Sequence, residues 1–456
     1  MIYYTINEPD KLLEFINSQL KPKQKEKKEN GEVFTPLTLV NEMMDKLDEA
    51  YVKENGKSIF TEPTFKWFDP AVGIGNFPII VYQRLMKELT PQIPIEEERR
   101  KHILENMIYA AELTPKNVFI YKKILCGDKY KLNIYEGDTL KMDVKKEFNL
   151  SDDFIGFDVV MGNPPYNVSG NIATGNTIWQ NFTKKCINEW VKDYLLFVHP
   201  SGWRKPTTKK GRYYGLYNLM CIDNQMLYLE IHGLKDGKKT FNCGTRYDWY
   251  LIEKKPQYKN TIIIDEEENK QEINLREWSW LPNSQFLKIK QLLANQDENC
   301  PIIYDRTAYG SDKKWMSGRC EIIYSPSAYE ARQKWMSKTD EFKYPCIRST
   351  PKKGIRYMYS KVKDKGHFGI SKVIFGDSGI YNPVIDMEGK YGMTEHSMAI
   401  KVDTLEEATS IRKVIESDTF NKILQSCSFS LFRIDWNIFK EFKKDFWKEF
   451  LTQSSQ

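Results

Sequence analysis

Histidine is scarce in this sequence. There are five, and no two stand four residues apart, which argues against the paired-histidine metal site of a helix. The eight cysteines are scattered singly with no Cys-x-x-Cys pair, so structural zinc is not expected. The chain opens MIYYTINEPDKLLEF, acidic and amphipathic where a secretory signal would be basic and then apolar. Without that signal, reduced buried thiols are the better reading than disulfides. No apolar run approaches the ~20 residues of a membrane span, so no membrane is expected and the location reads as cytoplasmic. Charge of one sign is barely in excess: Lys+Arg 68 against Asp+Glu 62 leaves +6, only a hint of a polyanionic partner. What is present is 41% hydrophobic and 29% charged residue over 456 positions, the balance of a folded, water-soluble protein. At about 150 residues per domain, that length suggests two to three domains.

Residues 1–30 read as a short amphipathic helix running into KPKQKEKKEN, whose five Lys against two Glu suit a solvated end or linker. From about 33 to 255 helical and strand-like stretches alternate. LTLVNEMMDKLDEAYV and FPIIVYQRLMKEL have apolar residues at helical spacing, while FKWFDP, MIYAAEL, LNIYEGD, FDVVMG and YLLFVHP are short apolar strands. Such alternation predicts a parallel sheet covered on both faces, with ligands bound beyond the C-terminal ends of its strands. After about 256 the alternation stops. NTIIID, CEIIYS and SKVIFGD read as strands and LEEATSIRKVIES as a helix, which predicts a second, α+β domain over 256–456 beside a first over 1–255.

The chemistry should lie at the strand tips. The first strand ends in Asp69-Pro70-Ala71-Val72-Gly73-Ile74-Gly75-Asn76-Phe77. Glycine there lets a ligand approach the backbone, although one Gly-x-Gly is also what a tight turn uses for steric reasons. The second strand ends at Glu112, placed either to accept from ribose hydroxyls or as a solvated strand-end carboxylate. The third ends near Asp138, which can accept from an adenine amino group. The fourth ends in Gly162-Asn163-Pro164-Pro165-Tyr166. Two prolines fix φ and donate no N–H, so their carbonyls point in set directions. Asn163 adds a side-chain carbonyl, and these acceptors together can grip both hydrogens of an amino group. Tyr166 offers a flat face for a base. A purely structural turn is the alternative; its place after two strand-end carboxylates weighs against that.

These motifs resemble the N6-adenine DNA methyltransferases of the gamma class, which use S-adenosylmethionine (SAM). Gly31-Glu32-Val33-Phe34-Thr35-Pro36 matches that family's N-terminal cofactor motif, and Asp69 to Phe77 its glycine motif. Glu112 and Asp138 fall at the ribose and adenine positions, and Asn163 to Tyr166 match the catalytic motif. TIWQNFTKKCINEW and YLLFVHPSGW resemble the helix and strand that follow. Four motifs in order are far more specific than any one. The match is strong over the first half of the chain and loose over the second. Two departures are a long TPQIPIEEERRKH segment, which looks like a surface insertion, and the long VSGNIATGNT segment after Tyr166.

The resemblance implies a Rossmann-like SAM-dependent sheet followed by a C-terminal target-recognition domain. It implies catalysis by Asn163, Pro164, Pro165 and Tyr166, with cofactor contacts from Phe34, Thr35, Pro36, Asp69, Ala71, Gly73, Gly75, Phe77, Glu112, Asp138, Thr139 and Asn163. It implies SAM as cofactor without a metal, and duplex DNA as partner with the adenine flipped out. A cognate restriction endonuclease is the companion expected if the enzyme is half of a restriction–modification pair. A second aromatic should close on the flipped base, and KKTFNCGTRYDWYLIEKK nominates Phe241, which reads equally well as a core aromatic.

Residues 343–372 hold Lys343, Arg348, Lys352, Lys353, Arg356, Lys361, Lys363, Lys365 and Lys372 against Asp364, nine minus one, with aromatics interleaved. That density suits phosphate contact, although charge runs are usually solvated faces. Arg204, Lys205, Lys209, Lys210 and Arg212 form a smaller group after the strand ending at His199, where the active-site rim is expected. DNA contact is therefore predicted for Arg204, Lys205, Lys352, Lys353 and Arg356. The alternatives are methylation of another amino group, on a ribosomal RNA base or a protein glutamine. From a different class comes a metal-dependent nuclease built on Glu388-x-Lys390 with Asp377 upstream.

Overall fold

A computed structural model describes residues 35–167, 177–207, 209–295, 300, 338–361, 363–364, 366–394, 396–429 and 434–451. The expected N-terminal helix, the stretch Gly31 to Phe34, most of VSGNIATGNT and the strand read in CEIIYS lie outside the described residues. The described chain forms two compact units, 1–281 and 282–456.

The first unit is built on a nine-stranded sheet: β1 (Trp67–Asp69), β2 (Ile108–Glu112), β3 (Asn133–Glu136), β4 (Phe157–Gly162), β5 (Val191–Pro200), β6 (Gln225–His232), β7 (Tyr247–Glu253), β8 (Thr261–Ile264) and β9 (Lys270–Ile273). Their order across the sheet is β3-β2-β1-β4-β5-β7-β6-β8-β9. The first five run parallel, and β7 lies antiparallel between β5 and β6. All five apolar runs read as strands before residue 255 are strands here. The central ones bury both faces: every residue of β1, β2 and β4 is buried, while the edge strand β3 is half-buried to exposed. Alternation sends Trp67, Val159 and Met161 into one apolar cluster with the helices Leu37–Asn55 and Asn76–Glu88. Phe68 and Phe157 face the other way and stack at 4.5 Å, with Trp190 edge-on to Phe68 at 5.5 Å.

The expected boundary at 255/256 moves to 281/282. β8 pairs with β6, and β9 with β8, so the stretch NTIIID extends the first unit's sheet and does not begin a second domain. The segment TPQIPIEEERRKH carries a short helix, Glu96–His102.

The second unit holds two three-stranded sheets. One contains β10 (Tyr344–Ser349), β11 (Arg356–Ser360) and β14 (Gly392–Met393). The other contains β12 (Lys372–Gly376), β13 (Val384–Asp386) and β15 (Ser397–Lys401). SKVIFGD and LEEATSIRKVIES form the strand and helix expected of them. Ile347, Ile374, Met393 and Ala399 pack the two sheets together.

Candidate active site

The chain leaves β1 toward β2 and β3 on one side, then returns to lay β4 on the other. At such a reversal, beyond the C-terminal ends of β1 and β4, sheets of this kind hold their ligands. Four of the sequence motifs converge there. Asp69 ends β1 and is buried. Gly162 ends β4 with φ +151°, and a Cβ on it would lie 2.7 Å from an Asp69 carboxylate oxygen. Only glycine lets the strand before Asn163 pass so close to that carboxylate.

Glu112 ties the surrounding loops together. One carboxylate oxygen accepts from the Gly73 N–H at 2.9 Å, and the other from the Thr114 N–H at 2.8 Å. Its carbonyl accepts from the Gly137 N–H at 2.9 Å, which fixes the turn that presents Asp138. Glu112 is therefore no solvated strand end: it is buried and braces the glycine turn. Asp138 caps the short helix Thr139–Lys141 by accepting from the Leu140 N–H at 3.1 Å, and Thr139 is buried.

The glycine turn closes on Gly75, at φ +104°, whose missing Cβ leaves room for the Tyr121 ring. The next residue was not singled out from sequence. Asn76 opens the helix Asn76–Glu88 and its amide donates to the Thr35 carbonyl at 2.7 Å, joining the N-terminal motif to the glycine turn. The signal was an amide, with donor and acceptor both, directly after Gly-x-Gly. Pro36 starts the helix Leu37–Asn55, and Ala71 and Gly73 are half-buried in the turn. Phe77 is buried and packs in the apolar cluster. Phe34 lies outside the described residues.

The charges at this site are unusual. Desolvation pushes the Asp69 carboxyl up to about 8, with the neighbouring Glu112 adding to it against one hydrogen bond from the Ala71 N–H. Such a carboxyl is mostly neutral near pH 7, and a cation placed beside it would favour its charged form.

At the tip of β4, Pro164 is buried and Asn163 half-buried. Tyr166 is buried, with the Asn163 side chain, Cys243 and Tyr247 near its hydroxyl; burial raises that hydroxyl far above its usual range. The Tyr166 carbonyl accepts from the Ile178 N–H, and Asn167 bridges Thr177, so the chain after the motif leaves and returns at one place. That return is pinned by a ring stack. Trp179 lies on His199 at 4.1 Å and on Tyr213 at 5.1 Å. His199 hydrogen-bonds to Tyr250 at 2.8 Å, and burial lowers it to about 3, so it stays neutral.

Two assignments change. Arg204 is not a rim cation. It is fully buried, donating from Nε to Asp248 at 2.7 Å and from Nη1 to the Leu281 carbonyl at 3.1 Å. Phe241 ends the helix Leu234–Phe241, is buried, and meets Tyr247 edge-on at 4.8 Å, the packing of a core aromatic. Lys205 is half-buried above the Tyr213 ring at 5.7 Å. In the second unit Lys352, Lys353 and Arg356 are exposed, whereas Lys372, counted in the same cluster, is buried against Asp386 at 2.9 Å. Lys365 lies outside the described residues. Glu388 and Lys390 pair with each other at the surface, 2.9 Å apart, and Asp377 instead faces His396 at 3.5 Å.

The reversed β7 between β5 and β6, with the glycine turn at the switch point, defines a Rossmann-like methyltransferase fold. Residues 13–211 match the family model N-6 DNA Methylase. A protein of Mycoplasma pneumoniae described as an uncharacterized adenine-specific methylase is 25% identical over 241 residues, 38% of this chain and 56% of that protein. The chain thus spans about half the length of this curated relative. Among solved structures, the Type ISP restriction-modification enzyme LlaGI, as a nuclease-deletion mutant with a DNA substrate mimic, is similar at a TM-score of 0.52 and 12% identity, over 98% of this chain and 48% of that one. The Type IIL restriction-modification enzyme MmeI in complex with DNA is similar at a TM-score of 0.50 and 11% identity, over 96% and 70%. At such identities the likeness is one of fold. No helix among the described residues is long and apolar enough to cross a membrane.

Proposed function

We propose that this protein transfers a methyl group from SAM to the exocyclic N6 amine of an adenine flipped out of duplex DNA. The observation that carries the reading is the convergence of Asn163-Pro164-Pro165-Tyr166 with Asp69 at the switch point, where Gly162 runs against the Asp69 carboxylate.

The residues present suit the cofactor. The Thr35 hydroxyl and the Asn76 side-chain carbonyl are buried without a hydrogen-bond partner, beside the glycine turn. Asp69, Glu112 and Asp138 stand at three adjacent strand tips, suited to a cationic ligand that also bears hydroxyls and an adenine ring. When bound, SAM supplies a methyl group already activated by its sulfonium.

The chain's task is then to make a poor nucleophile attack. The lone pair of an adenine amine is delocalised into the ring. Acceptors at the Asn163 side-chain oxygen and the Pro164 carbonyl would draw both amine hydrogens out of the ring plane and localise that pair on nitrogen. As the N–C bond forms the methyl–sulfur bond would break, leaving a neutral thioether; the amine turns cationic, so the same acceptors stabilise it more in the transition state than before, and its extra proton then passes to solvent without a strong base. Holding two substrates in register is worth ~7–11 kcal/mol in favourable cases. Tyr166, fixed on several sides, is suited to present a rigid face to the base. The exposed Lys352 and Lys353 are suited to duplex phosphates.

The test is incubation with methyl-labelled SAM and a duplex of mixed sequence, followed by identification of the modified base. N6-methyladenine is expected from the wild-type chain, and Asn163→Ala should lose at least 100-fold in rate, about 3 kcal/mol, with its melting temperature unchanged. Near-normal turnover in that variant would refute the role of Asn163. Label in RNA or protein but not DNA would select the other-amine reading.

A further inference from the structure

A second concave site lies wholly within the second unit. A cavity of about 320 Å³ is lined by Arg348, Lys352, Arg356, Asp377, Tyr381 and His396, among others. It sits where the β10–β11 hairpin meets the C-terminal end of β12. The two sheets are joined there by the Gly376 N–H donating to the Thr350 hydroxyl at 2.9 Å. The ladder between β10 and β11 slips between Ile347 and Ser349. A slip of this kind re-aims the side chain at the irregularity, here Arg348. Gly379, at φ +116°, keeps the Tyr381 ring flat across the turn, since a Cβ there would come within 2.7 Å of it. Lys352 lies over the far reach of that ring, 4.9 Å from its centre.

The chemistry of the lining is mixed. Three cations share the cavity with one carboxylate. Asp377 is buried, held by the Ser378 hydroxyl at 2.9 Å and by His396 at 3.5 Å. A phosphodiester offers only acceptors and would meet that carboxylate with repulsion. The major-groove edge of a base pair offers both kinds of group. In a G·C pair, guanine O6 and N7 accept from an arginine while the cytosine amino group donates to a carboxylate.

We infer that this cavity reads the major-groove edge of a G·C pair in the DNA target, with Arg356 and Arg348 as donors and Asp377 as acceptor. The inference rests on the reading of the protein as a DNA methyltransferase and adds to it the residues that choose the sequence. All of them belong to the second unit.

The experiment profiles the bases flanking every methylated adenine in a random duplex library, using the full chain, labelled SAM, and the variants Arg356→Gln and Asp377→Asn. The wild-type profile should contain a fixed G·C pair. Each variant should relax that one position, losing about 5-fold or more of its preference over other pairs, while the remaining positions hold. Arg356 is exposed, so Arg356→Gln keeps the test open if Asp377→Asn does not fold. A uniform loss across all sequences, with the profile unchanged, would make the cavity a backbone contact and overturn the inference, as would no change at all. Wild-type protein that methylates no DNA would instead remove the underlying function, and this reading with it.

Discussion

Two basic groups that look alike in the sequence behave in opposite ways in the structure. In the first unit, Arg204 follows β5 and is wholly buried on Asp248. In the second, Lys352, Lys353 and Arg356 sit around a hairpin turn and are exposed. The difference is not charge density, for the second run also contains a buried cation, Lys372, held by Asp386. It is whether a carboxylate on a neighbouring strand faces the cation. Arg204 meets Asp248 on β7, and Lys372 meets Asp386 on β13, whereas Lys352, Lys353 and Arg356 stay exposed around the turn between β10 and β11. A buried charge with its counter-charge serves the fold, and an exposed one is available to a polyanion.

The sharpest way to break this comparison is to remove Arg204. Arg204→Ala leaves Asp248 buried without its cation, and such losses run to about 3–5 kcal/mol. Thermal unfolding should show a large drop in melting temperature; an unchanged melting point would return Arg204 to the rim. Asp69 extends the comparison to a buried carboxyl whose charged neighbour is another carboxylate, Glu112. Its folded value of about 8 lies above its ordinary one, so the folded protein holds a proton that the unfolded chain releases between about pH 4 and pH 8. That contribution is fully present in acid and is lost as pH rises through 8. Asp69→Asn should therefore raise the melting temperature of the ligand-free protein at pH 9 by several degrees and leave it nearly unchanged at pH 3.5. Equal shifts at both values would contradict the raised titration.

The exposed group should respond the other way. Lys352→Glu with Lys353→Glu should leave the melting temperature within about a degree, since exposed charges contribute little to stability. It should weaken DNA binding and flatten the dependence of log affinity on log salt by about two units of slope, as for two lost phosphate contacts. Affinity that stays the same would make this hairpin a solvated face. Lys205, half-buried over Tyr213, should matter least. Lys205→Gln is expected to change DNA affinity by no more than about 2-fold, roughly 0.5 kcal/mol, in keeping with a partly exposed cation–aromatic contact; a tenfold loss would place it at the DNA after all.

The legible parts of the molecule were those where one local rule decides. The five parallel strands could be read because a strand covered on both faces is a short unbroken apolar run. The tips of those strands could be read because Gly-x-Gly permits, and the paired prolines of Asn-Pro-Pro-Tyr fix, an unusual backbone wherever they occur. The edge strands β8 and β9 were assigned to the wrong unit, since half-buried strands carry the same signal whichever sheet they join. Phe77 and Phe241 went into the core for a related reason: an aromatic next to a motif has the same local pattern whether it packs inward or faces a ligand. Asn76 escaped notice because its partner, the Thr35 carbonyl, lies forty-one positions away.

By itself, then, the sequence determined the order of elements along the chain and the backbone character of each strand tip, because steric limits and apolar periodicity act over a few residues. Only the tertiary structure decided which tips meet, which arginine is buried, and where the first unit ends. Those depend on partners supplied by distant segments: Asp248 for Arg204, β6 for β8, and the close passage of Gly162 against Asp69. Pairing across the sheet selects such neighbours, and no local rule encodes it.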